Sequence, residues 1–182
     1  MSKLNFKIDK TWTLFLDRDG VINKRLIDDY VKSVDEFKFL YGAKKAIAAF
    51  SQIFGRIIVV TNQQGIGKGL MSVNDLEQIH QKMKNAIEKS GGRIDKIYHC
   101  PQLKTVKNNC RKPNNTMGLM AKKDFPEIDF KKSLMIGDSI SDLKFAQNLG
   151  MQSIFIKTKK EESEQKITKF EATSLYSLAS YF

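Results

Sequence analysis

Cysteine is scarce in this chain, long apolar runs are missing, and no repeat or low-complexity segment is evident. Two cysteines among 182 residues, Cys100 and Cys110, are too few for the disulfide framework of a small secreted domain. A disulfide is not expected, and both side chains are read as thiols. No apolar run approaches the ~18 residues of a membrane span. The opening MSKLNFKIDK lacks the apolar core of a signal peptide, so a cytoplasmic protein with no membrane partner is expected. Acidic residues are outnumbered, 20 Asp+Glu against 31 Lys+Arg, for a net charge of +11. That excess concentrates anionic ligands near the surface and suits a small phosphate ester as well as a nucleic acid. The basic residues are spread along the chain, the pattern of solvated helix faces. The length and a hydrophobic content of 41% fit one globular domain over 1–182, read as a monomer.

What is present is an alternation of short β-rich runs with helical patterns. Apolar or β-branched runs at Thr11–Leu16, Arg56–Thr61, Lys96–His99, Ser133–Ile136 and Gln152–Ile156 read as strands. A short sixth is expected near Ile167–Phe170. Helical spacing marks Ala43–Ile53, Asn74–Lys89, Thr116–Phe125, Asp142–Leu149 and Ser174–Tyr181. Ser72 is placed to cap the second of these and Gly150 to stop the fourth. The fold class is α/β: a Rossmann-like three-layer α/β/α arrangement around a central, mostly parallel sheet. Ligands of such sheets bind at the carboxyl ends of the strands. Three strands end in polar or glycine-rich loops, Asp17–Asn23, Thr61–Gly69 and Gly137–Asp142.

The first loop, DRDGVIN, puts Asp17 and Asp19 two residues apart where an apolar strand stops. Residues so spaced on a strand share a face. Two facing carboxylates repel, and Mg²⁺, which prefers oxygen ligands, would relieve them. A plain polar turn would use the same residues, so the other loops decide. In TNQQGIGKG, Thr61 and Asn62 follow a buried strand, and Gly65, Gly67 and Gly69 would let backbone N–H groups approach an anion. The spacing is neither a P-loop nor a dinucleotide fingerprint. Arg111 and Lys112 stand side by side before Pro113, and both types of cation bind phosphate. In GDSISD, Asp138 could complete a metal site, with Asp142 behind it or favouring a helix start.

Taken in order, DRDG, TN, RKP and GDSISD resemble the four motifs of the haloacid dehalogenase-like phosphohydrolases, from Phe15 to Thr158. The wording FLDRDGVIN, TNQQGIGKG and CRKP resembles a narrower branch, the heptose-bisphosphate and histidinol-phosphate phosphatases. The resemblance implies that Asp17 is the nucleophile and Asp19 the acid/base. It implies Mg²⁺ held by the Asp17 carboxylate, the Asp19 backbone carbonyl and Asp138, with Asp142 as a supporting carboxylate. Thr61, Asn62 and Lys112 would hold the phosphoryl oxygens. Arg111 would reach a distal group such as a second phosphate, and Gln63, Arg18 and Asn23 are further candidate substrate contacts.

Relatives in the heptose branch often carry a structural zinc before RKP, in a Cys-x-His and a Cys-x-Cys pair. Here Cys100 and Cys110 alone stay in register, and His99 is a third candidate. A structural zinc wants four ligands, so a metal-free loop is expected. The stretches Asp17–Thr61 and Thr61–Lys112 leave no room for a large cap domain. Specificity then falls to the loops Lys24–Val31, Gln64–Ser72 and Gln102–Asn109. The leading expectation is a phosphatase acting on a heptose bisphosphate. Histidinol phosphate, a polynucleotide 3′-phosphate and a non-catalytic phosphate-binding role are the alternatives; against the polynucleotide, no aromatic platform for single strands is seen.

Overall fold

The computed structural model describes residues 7–157 and 170–181. The strands are β1 (Thr13–Leu16), β2 (Arg56–Asn62), β3 (Lys96–Cys100), β4 (Ser133–Gly137), β5 (Gln152–Ile156) and β6 (Glu171–Ala172). The helices are α1 (Ala43–Ile53), α2 (Gln64–Gly67), α3 (Val73–Glu88), α4 (Thr116–Asp124), α5 (Ile140–Leu149) and α6 (Leu175–Leu178). All strand pairs are parallel, in the order β3-β2-β1-β4-β5-β6. No helix among the described residues is long and apolar enough to cross a membrane.

Successive side chains of a strand point to opposite faces, and both faces of this sheet are buried. Leu14, Leu16, Ile57, Val59, Leu134 and Ile136 belong to a core with Ala46, Ile47 and Phe50 of α1, Leu76, Ile79 and Met83 of α3, and Leu175 and Leu178 of α6. Phe15, Ile58, Val60 and Met135 belong to the opposite core, with Met117 and Ala121 of α4 and Phe145 and Ala146 of α5. The three-layer α/β/α expectation holds. Only α1 lies between β1 and β2, and only α2 and α3 between β2 and β3, so no cap domain interrupts the sheet.

Strand order decides where a ligand can sit. The chain winds outward from β1 through β2 to β3, then returns to the other side of β1 for β4. The carboxyl ends of β1 and β4 therefore flank the topological switch point, where the crevice of an open α/β sheet forms. Asp17 and Asp138 follow directly after these two strands.

Several boundaries differ from expectation for local reasons. The first strand starts at Thr13 rather than Thr11, because Asp9 Oδ1 accepts from both the Thr11 amide (2.8 Å) and its hydroxyl (2.6 Å), making a turn. The fourth long helix, α5, starts at Ile140 rather than Asp142. Ser139 is its N-cap, in a capping box with Asp142. Ser72 caps α3 through a capping box with Asp75, and Gly150 ends α5 in the left-handed region, φ 76°. The expected sixth strand falls mostly outside the described residues; β6 lies just beyond it, at Glu171–Ala172.

Candidate active site

The end of β1 aims Asp17 into the switch point, and its amide donates to the Ile136 carbonyl of β4 at 3.0 Å. Facing it is Lys112, buried at 4% exposure. The Lys112 ammonium donates to Asp17 Oδ1 at 2.8 Å and to the Val60 carbonyl at 2.7 Å, and lies 2.6 Å from Asp142 Oδ1. Asn62 clamps the Lys112 peptide group: its Oδ1 accepts from the Lys112 amide at 2.9 Å, and its Nδ2 donates to the Lys112 carbonyl at 3.3 Å. One cation thus bridges two acids from different strand ends, and a third strand end holds it in place.

Carboxylate oxygens of Asp17, Asp138 and Asp142 lie within 4.8 Å of one another. Burial, then repulsion from Asp142, pushes the Asp17 carboxyl up to about 7, although Lys112 opposes the rise. Burial, then Asp17 and Asp142, pushes Asp138 up to about 8. Asp138 Oδ2 has a distant partner in Arg25 Nη1 at 3.4 Å, and its buried Oδ1 has none among the described residues. Asp142 is committed elsewhere, to Lys112 and to the Ser139 cap. The surplus negative charge and open oxygens therefore sit on Asp17 and Asp138, an arrangement that fits a hard divalent cation. Gly20, at φ 91°, is required at this spot, since a Cβ there would fall inside the Asp138 carboxylate.

Asp19 lines the same pocket but faces different neighbours. Arg18 Nη2 donates to both its oxygens, at 3.0 and 2.9 Å. Asn23 Nδ2 donates to Oδ1 at 2.8 Å and Gln63 Nε2 to Oδ2 at 2.9 Å. Burial pushes Asp19 up, but Arg18 and these amides outweigh it and leave the carboxyl below its usual value.

Of the expected site residues, the structure brings Asp17, Asp19, Thr61, Asn62, Arg111, Lys112, Asp138 and Asp142 to one open pocket of about 400 Å³. Arg18, Asn23 and Gln63 do not line it. All three are buried and turned onto Asp19; these expected substrate contacts instead hold the acid. Two glycines of TNQQGIGKG, Gly67 and Gly69, also differ from expectation. The segment forms the short helix α2, whose Gly67 amide donates to the Pro101 carbonyl and whose following Gly69 amide donates to Ile66, so neither is offered to an anion. Gly67 permits close packing, because a Cβ there would meet that same carbonyl.

The loops around the pocket were only partly anticipated. Lys24–Val31 supplies Arg25, Asp28 and Tyr30, and Gln64–Ser72 supplies Gln64 and Lys68. Gln102–Asn109 contributes nothing to the lining and acts as a buttress: the Lys104 amide donates to Gln64 Oε1, while Gln64 Nε2 donates to Tyr30 Oη at 2.6 Å. Cys100 and Cys110, expected as thiols, form a disulfide. Residues at the end of β3 and just before Arg111 meet there, so proximity overrides the argument from composition. His99, the third zinc candidate, instead packs edge-on against His80, with ring centroids 6.1 Å apart.

His80 carries a pH prediction. Burial, then Arg18 and His99, pushes its imidazole down to about 3, against a pull upward from Asp19. Unfolded, it would take a proton near pH 6.5. The unfolded state then binds the proton that the folded state refuses, so stability falls as pH drops below 6.5, down to about 3. Urea unfolding at pH 7.5 and 5 should show the wild type losing about 2 kcal/mol more than His80→Gln. Equal losses would mean that His80 titrates normally.

The family described as HAD-hydrolase-like matches residues 109–177. The chain is 40% identical over 138 residues to a D-glycero-alpha-D-manno-heptose-1,7-bisphosphate 7-phosphatase of Mycobacterium bovis, covering 76% of this chain and 73% of that one. It is 36% identical over 156 residues to the enzyme of the same name from Campylobacter jejuni, covering 85% and 88%. Among solved structures, the D,D-heptose 1,7-bisphosphate phosphatase of B. bronchiseptica, complexed with magnesium and phosphate, matches with a TM-score of 0.83 at 31% identity. That match covers 93% of this chain and 96% of that one.

Proposed function

The chain belongs to the HAD-like hydrolases, with the D-glycero-D-manno-heptose-1,7-bisphosphate 7-phosphatases, and we propose that it removes the 7-phosphate of such a heptose bisphosphate through an aspartyl-phosphate on Asp17. The observation that carries this reading is the Asp17–Lys112–Asp142 bridge at the switch point, with Asp138 beside it. Mg²⁺ fits the donor set: the carboxylates of Asp17 and Asp138, with the Asp19 backbone carbonyl, would hold it. When bound, it neutralises phosphoryl charge.

In the first half-reaction an Asp17 oxygen bonds to phosphorus as the bond from phosphorus to the sugar oxygen breaks. The departing oxygen takes a proton from Asp19 and leaves as an alcohol. In the second, a water oxygen bonds to the phosphorus of the aspartyl-phosphate. Asp19 receives the water proton, and the bond to Asp17 breaks to release phosphate. The donors around Asp19 favour the carboxylate that the second half-reaction needs. The negative charge of an arriving phosphate ester raises its proton affinity for the first. Lys112 and Thr61 face the transferring oxygens, and Asn62 acts by holding Lys112. Phosphoryl transfer depends on such positioning and charge neutralisation.

Arg111 supports the choice of a bisphosphate. It lines the pocket, and its buried Nη1 has no partner among the described residues. With Lys68, which lines the same pocket, it would take the second phosphate. Phosphate release should be assayed with heptose 1,7-bisphosphate, histidinol phosphate and a 3′-phosphorylated oligonucleotide. The bisphosphate should lead in kcat/KM by about 100-fold, the scale of one or two charge-assisted contacts. Preference for the oligonucleotide, with steep salt inhibition, would overturn the substrate.

A further inference from the structure

The chain has two histidines, and they meet behind the Asp17–Asn23 loop: His80 on the inner face of α3 and His99 on β3. His80 Nε2 lies 3.3 Å from Nη1 of Arg18. A guanidinium has donors and no acceptor, so Nε2 must accept and the ring proton must sit on Nδ1. From the same guanidinium, Nη2 forks onto both oxygens of Asp19. Arg18 is fully buried, and its Nε has no partner among the described residues.

Stability alone does not account for this arrangement. A buried guanidinium with an unpaired N–H is costly, and an apolar side chain in its place is often neutral or stabilising. What the arrangement supplies is direction. Asp19 extends from a turn whose Gly20 is free of a side chain, and its carboxyl group could swing about its own bonds. Asn23 and Gln63 each reach one oxygen; Arg18 alone spans both. His80, fixed on a helix packed into the core, sets where that fork lies.

We propose that His80 and Arg18 form a brace that positions Asp19 for proton transfer to the leaving oxygen. Both are positioning residues, since neither lines the pocket. The inference rests on the reading of Asp19 as the acid/base, and the test separates the two.

An alkyl phosphate, the 7-phosphate of the heptose bisphosphate, needs a proton on its leaving oxygen. p-Nitrophenyl phosphate does not. kcat/KM reports only the steps up to release of the alcohol, so it isolates the first half-reaction. For His80→Leu it should fall about 10-fold or more with the heptose ester and stay within about threefold with p-nitrophenyl phosphate. His80→Gln, which keeps an acceptor, should restore the heptose ester to within about threefold of wild type. Asp19→Asn is the reference. If that variant shows no difference between the two esters, the role given to Asp19 fails. If it does, and His80→Leu loses both esters in parallel or neither, the brace fails. Should His80→Leu not fold, Arg18→Lys, which keeps the charge and loses the fork, must show the same split between esters; a parallel loss there overturns the brace.

Discussion

Asp17→Asn is expected to reduce turnover of every phosphate ester by on the order of 10⁵, because an amide oxygen does not form the phosphoryl intermediate. Folding should survive the change. Asp17 sits in a crowded anionic cluster that already lifts its carboxyl to about 7, so a neutral amide of the same shape relieves repulsion. The variant should unfold in urea at or above the wild-type midpoint. Activity lost together with stability would point to a structural acid instead of a nucleophile.

Lys112→Met carries the second large effect, and here activity and stability should fall together. The ammonium touches Asp17, Asp142 and the Val60 carbonyl from a position 4% exposed. Removing it leaves two buried carboxylates without their counter-ion, a loss on the scale of 3–5 kcal/mol for a broken buried pair, or about that much in urea unfolding. On the proposed mechanism it would also remove a cation that faces the transferring phosphoryl group, worth about 10²–10³ in kcat. A variant that kept wild-type stability and lost only KM would mean that Lys112 serves substrate binding alone.

The contrast between these variants bears on how much of the site was legible in the sequence. Asp17, Lys112 and Asp138, which the structure brings to one pocket, stood out because each follows a β-rich run or precedes a proline, and strand ends are where such sheets bind ligands. The strands themselves were legible because both sheet faces are buried, which makes β1, β2 and β4 nearly continuous apolar runs. Arg18, Asn23 and Gln63 belong to the right loops but were assigned the wrong direction. Residue spacing gives a face only while a strand continues, and β1 ends at Leu16. Past that point the Gly20 turn decides what faces the pocket. The glycine loop misled for a related reason. Gly67 looked like a phosphate cradle, yet it is small because the Pro101 carbonyl packs against it, a contact between segments distant in sequence. The Cys100–Cys110 disulfide escaped for another reason: the argument rested on how few cysteines there are, and not on the loop that folds back to bring Cys110 beside the end of β3. His80 had the spacing of a core position on α3, and no sequence feature showed that it would meet Arg18.

The central claim is a covalent phosphate on Asp17, and acid-quenched turnover tests it most directly. Enzyme mixed with substrate labelled in the 7-phosphate, stopped within one turnover and digested, should yield label on the peptide that carries Asp17. The label should be released by hydroxylamine and be absent in Asp17→Asn. Turnover with no labelled enzyme at any quench time, or label on a different residue, would contradict the account.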